Sequence, residues 1–140
     1  MKAVAILFSV IILSNYSFAR TQHDTSLLNI DFQDFFTHDT VSLSINGTVI
    51  LKNVVMTSEQ STGFTNVYMG IFKKTRKILS VHLPSETKEV KSEKLIILVI
   101  TLNGKTSRYE VDRRKGKYVG FEKNNGQIAF RQQNKRFVYD

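Results

Sequence analysis

The chain of 140 residues has no cysteine, no tryptophan, one proline, seven glycines and three histidines. Without a thiol, disulfide staples, a cysteine nucleophile and thiolate metal sites are excluded. His23, His38 and His82 nowhere stand at ligand spacing, so no zinc pattern is present. The G-x-S-x-G elbow, the phosphate-binding loop and the dinucleotide fingerprint are also missing. A mixed triad such as His38, Asp39 and a distant serine is conceivable in any chain that has these residues.

What is there reads first as an export signal. Lys2 precedes the apolar stretch Ala3 to Leu13, interrupted only by Ser9, and small residues stand at 17 and 19. A positive start, an apolar run short of the roughly 20 residues that span a bilayer, and this end pattern predict a signal peptide over 1–19, cut after Ala19. The alternative is an N-terminal membrane anchor. The expected mature chain, Arg20 to Asp140, has 19 basic and 12 acidic side chains. A cysteine-free exported domain must be stabilised by packing, which fits a bacterial protein, secreted or periplasmic. The whole chain is 41% hydrophobic and 23% charged, neither disordered nor fibrous, and the mature part has the length of one folded domain.

Past a flexible segment over 20–26, period-2 alternation replaces helical periodicity. Val41, Leu43 and Ile45 alternate with serines, stop at Asn46-Gly47, and resume at Val49 and Leu51. The same punctuation recurs at Asn103-Gly104 and at Asn124-Asn125-Gly126. Further strands are expected at 27–32, 53–57, 66–73, 78–83 and 136–139. The run 95–102 is apolar on both faces and predicts a central strand covered on each side, with a short buried helix as the alternative. Lys88 to Lys94 reads as a charged approach to it. The expected fold over 27–140 is therefore all-β, a jelly-roll-like antiparallel β-sandwich of eight to nine short strands.

Three groups of residues are candidates for function. Lys73, Lys74, Arg76 and Lys77 form one basic cluster and Arg108, Arg113, Arg114, Lys115 and Lys117 another. Brought together they would attract an acidic glycan or an anionic envelope lipid surface; kept apart they are solvated surface. Export argues against nucleic acid as the partner. Asp31, Asp34 and Asp39 crowd one inter-strand stretch and are candidates for calcium, the only cofactor considered, against a reading as turn and surface residues. Phe35 and Phe36 point to opposite sides of an extended segment, so one can be left exposed as a ligand or partner patch. Tyr68, Tyr109, Tyr118 and Tyr139 read as half-buried packing residues, and Asn46-Gly47-Thr48 as a turn before it is a glycosylation triplet.

The stretch from Asp39 to Val49 resembles the hairpin of extracellular jelly-roll and carbohydrate-binding modules. Lys115 to Val119, with Gln127 to Gln133 and Phe137 to Asp140, is similar to the C-terminal part of small secreted β proteins of Bacteroidetes-type bacteria. The resemblance implies export and a β-sandwich, and brings no catalytic residue. The expected function is thus a non-catalytic binding module for a glycan, an anionic envelope component or a protein. The alternatives are an assembly protein pairing through a sheet edge and a small glycan-active enzyme with facing carboxylates. Intact-mass measurement of exported material is expected to begin at Arg20; recovery of the 140-residue chain from the cytoplasm alone would contradict the export assignment.

Overall fold

The computed structural model describes residues 25–138. The expected signal peptide at 1–19, residues 20–24 with His23, and Tyr139 lie outside the described residues. Ten strands follow one another: β1 (Leu28–Phe32), β2 (Asp39–Ile45), β3 (Thr48–Met56), β4 (Tyr68–Lys73), β5 (Ile78–His82), β6 (Thr87–Lys91), β7 (Ile96–Leu102), β8 (Lys105–Val111), β9 (Tyr118–Asn124) and β10 (Gln127–Gln133). They make two packed sheets, in the orders β10-β9-β1-β4-β5-β6 and β3-β2-β7-β8. All pairings are antiparallel except that of β1 with β9.

Alternation decides which side of each strand meets the other sheet. Leu28, Ile30 and Phe32 of β1 and Leu98 and Ile100 of β7 are fully buried. Each such side chain contributes about 1.5–3 kcal/mol of burial. Phe32 lies between Phe36 and Phe121, at centroid distances of 6.0 and 5.4 Å. One flank of the sandwich is closed by Tyr109 of β8 stacked on Phe130 of β10 at 4.7 Å. The other flank is clasped by Lys88 of β6, whose ammonium donates to the Ile50 carbonyl of β3 at 2.9 Å.

The three Asn-Gly turns close the β2–β3, β7–β8 and β9–β10 hairpins as two-residue loops with positive φ at both positions. At the middle one, Asn103 and Gly104 have φ of 47° and 84°, the geometry that matches strand twist.

Several expectations are corrected. The strand expected at 53–57 is the end of β3, carried past a kink at Asn53 (φ 50°), whose amide donates to the Ser42 hydroxyl. The charged approach Lys88–Lys94 contains β6, an edge strand that buries only Val90 and so carries a single core signal in the sequence. β7 is internal to its sheet as expected, but Ile97 and Val99 on its outer side are only half-covered, beside Glu110 and Arg108 of β8. Residues 134–138 form no strand. At the start of the domain, Ser26 is already buried and accepts a hydrogen bond from Asn29 at 2.7 Å.

Four connections cross between the sheets, two at each end. At one end, 33–38 and 57–67 are joined by Phe36 N–H donating to the Ser58 hydroxyl at 3.1 Å. There Asp39, 5% exposed, accepts from the Lys123 ammonium of the opposite sheet at 2.7 Å, from the Asn103 amide at 2.8 Å and from Thr37 N–H at 2.7 Å. Burial pushes the Asp39 carboxyl up, and these donors, Lys123 first, outweigh it and hold it below its ordinary value. A depressed folded-state pKa means that the unfolded chain binds the proton more readily. The resulting stabilisation is present above about pH 5 and is lost as the pH falls below about 4. Asp39→Asn, which leaves Lys123 unpaired, is expected to cost about 2 kcal/mol at pH 7 and to flatten the acid limb of the stability profile. Denaturant unfolding of both proteins from pH 7 to 3 checks this; parallel profiles would refute it.

Candidate functional site

The opposite end of the sandwich collects cations from three separate segments. The β4–β5 turn brings Lys74, Arg76 and Lys77, with Lys73 at the end of β4. The 92–95 crossover brings Lys94, and its Ser92 N–H donates to the Lys77 carbonyl at 2.9 Å, fastening the two segments. The 112–117 crossover brings Arg113, Arg114 and Lys115 on a single 3-10 turn, followed by Lys117. Lys73, Arg76, Lys94 and Arg113 converge around a concavity of about 170 Å³, whose other walls include Leu27, Leu79 and Glu93.

The arginine turn is held rather than loose. Asp112 caps it by accepting from Arg114 N–H at 3.1 Å, and its carboxylate takes the Arg114 guanidinium at 2.9 Å. These side-chain hydrogen bonds, more than the backbone one, lower the Asp112 carboxyl to about 2. From β10, the Gln132 amide donates to the carbonyls of Asp112 and Gly116 at 2.8 and 2.7 Å. Gly116 (φ 124°) packs so closely that a Cβ there would lie 2.2 Å from the Gln133 carbonyl.

Of the nine cations singled out from sequence, Arg108 stands apart, in mid-β8 and paired with Glu110 at 2.8 Å. Lys74 pairs with Glu89 and Arg114 with Asp112. Lys117 lies 5.6 Å from the centre of the Tyr118 ring. Lys73, Arg76, Lys77, Arg113 and Lys115 have no salt bridge among the described residues, and neither has Lys94. Lys94 was missed by the sequence reading, although the charge run 88–94 carried the signal.

The three aspartates considered for calcium go separate ways. Asp39 spends its oxygens on Lys123, Asn103 and Thr37, Asp31 faces outward from β1, and the Asp34 carbonyl accepts from Lys123 N–H at 3.1 Å. Among the described residues no three His, Cys, Asp or Glu side chains cluster at metal distance. Phe36 is in the core and Phe35, at φ 71°, is 66% exposed at the end away from the cations. The edge strands carry Lys52 and a kink on β3, Lys88 and Lys91 on β6, Lys105 and Arg108 on β8, and Arg131 on β10. Such features discourage strand addition.

A second concavity was not legible in the sequence. It lies on the outer face of the six-stranded sheet, with a volume of about 650 Å³. Register places Tyr118, Asn29, Gly70 and His82 in one row across β9, β1, β4 and β5. Tyr68 and Phe72 flank Gly70 along β4, Asp31 follows Asn29 on β1, and Arg136 and Phe137 rim the groove. Tyr68 is 55% exposed and lines the groove rather than packing into the core. Burial raises the Asp31 carboxyl, partly offset by the nearby Arg136 charge. Each concavity is lined by one carboxylate among the described residues, Glu93 in the first and Asp31 in the second.

No family model, curated protein or solved structure matches the chain.

Proposed function

We propose that the protein is an exported, non-catalytic binding module that takes an acidic polysaccharide at the basic end of the sandwich. The observation that carries the reading is the convergence of Lys73, Arg76, Lys94 and Arg113, from three segments distant in sequence, on one concavity. Like charges within a Debye length of about 8 Å repel, so crowding them costs stability unless an anion balances them. Among the described residues Glu93 is the single acid lining that hollow. The hollow of about 170 Å³ has room for a sulfate or carboxylate group, and a charged polysaccharide presents such groups in series. The surrounding Lys77 and Lys115 extend the field along such a chain.

Binding of this kind acts strongly through association rate and is weakened by salt. Arg76→Glu with Arg113→Glu places two acids at the rim of the hollow and leaves the Asp112–Arg114 pair and the Gln132 clamp in place. On immobilised sulfated or uronate-bearing polysaccharide, the parent protein is expected to bind at low ionic strength and to release as salt rises, and the double variant to bind at least about tenfold more weakly. Equal binding by both proteins, no binding by the parent at low salt, or binding confined to anionic liposomes would overturn the proposal.

A further inference from the structure

We infer that the outer-face groove of the six-stranded sheet is a second, separate binding site, shaped for a neutral saccharide chain, in which Tyr68, Phe72 and His82 supply ring surfaces and Asp31 and Arg136 supply polar contacts.

The chemistry of the lining selects the ligand. Saccharide rings present flat C–H faces bordered by hydroxyls, and they are held by aromatic faces with hydrogen-bonding groups between them. Here the Tyr68 ring is half in solvent, and the Phe72 and His82 rings pack together with centroids 4.6 Å apart. Gly70 sits between Tyr68 and Phe72 on the strand and beside His82 on the next, and its missing side chain lets the Phe72 ring lie over the strand at that point. A Cβ at Gly70 would come within 2.8 Å of the Phe72 ring, so a larger residue there must push that ring out of its place in the groove.

The polar groups exclude the obvious rivals. Asn29, Asp31 and His82 interrupt the floor, so it offers no continuous apolar track for an acyl chain. An extended peptide gains its main-chain hydrogen bonds at a sheet edge, and this is the middle of a six-stranded sheet. Asp31 and Arg136 have opposite charges that offset one another, so the groove has no net preference for an anion, in contrast to the basic end. The four strands that carry the floor span about 14 Å at the usual inter-strand spacing, enough for a short run of sugar rings lying across the sheet.

The test is native affinity electrophoresis of the mature protein in gels containing β-glucan, xylan, mannan or soluble chitin oligosaccharides, backed by titration of each in high salt, where the basic end is screened. The parent protein is expected to be retarded by at least one of these neutral glycans. Tyr68→Ala is expected to weaken that binding at least about tenfold, and Gly70→Val, which pushes the Phe72 ring out of its place in the groove, to do the same by a different route. Both variants are compared by thermal unfolding with the parent; since the Tyr68 ring is half-exposed, its removal should leave the transition nearly unchanged. Arg76→Glu with Arg113→Glu should bind the neutral glycan as the parent does. Absence of retardation in all four gels, retention of parent-like binding by a folded Tyr68→Ala or Gly70→Val, or loss of neutral-glycan binding only in the charge-reversed variant would overturn the inference.

Discussion

The position of β1 in the middle of the six-stranded sheet is the constraint on which the rest depends. It pairs antiparallel with β4 on one side and parallel with β9 on the other. A parallel neighbour cannot be reached by a hairpin, so the chain must arrive at β9 from elsewhere. It arrives from β8, the edge strand of the other sheet on the same flank as β9 and β10, through the 112–117 crossover. That crossover therefore emerges at the end where β1 begins, beside the β4–β5 turn and the 92–95 crossover. Leu28, Ile30 and Phe32, all fully buried, anchor the arrangement.

The two ends of the sandwich then divide the electrostatics between them. At one, the buried Asp39 is matched by Lys123 and by neutral donors, so charge is neutralised and the sheets are tied together. At the other, six cations have no salt bridge among the described residues, on segments held by backbone and Gln132 hydrogen bonds. A rigid, unneutralised end is suited to recognition, because little ordering remains to be done when a ligand arrives. The outer-face groove stands on the strands between, with its row of residues set by the same register that fixes β1.

Local signals in the sequence were strong where backbone geometry demanded particular residues. The Asn-Gly turns need positive φ, and the alternation of Val41, Leu43 and Ile45 reports a strand half-buried on one face, so both were legible. The antiparallel sandwich followed from them, though the one parallel pairing, which no local pattern encodes, did not. β6 escaped because an edge strand with one buried residue looks like a charged loop, and β7 looked doubly covered because Ile97 and Val99 satisfy strand preference without full burial. Of the candidate site, the cations were legible as two clusters. Their meeting, and the part played by Lys94, depends on crossovers that only the three-dimensional arrangement supplies. The groove was invisible for the same reason: Gly70, Tyr118 and His82 are far apart in the chain and adjacent only through register.

The absence of cysteine makes the central claim, that the fold brings the two basic clusters to one end, directly measurable. Arg76→Cys and Arg113→Cys in one chain provide two unique sites for spin labels, and pulsed electron–electron resonance reads the distance between them. Both residues line the same concavity, so the account predicts one narrow distribution below about 20 Å, against roughly 30 Å or more for opposite ends of a domain of this size. A dominant population at the longer distance would contradict the topology that carries Arg113 across to the β4–β5 turn, and with it the basic end as a single site.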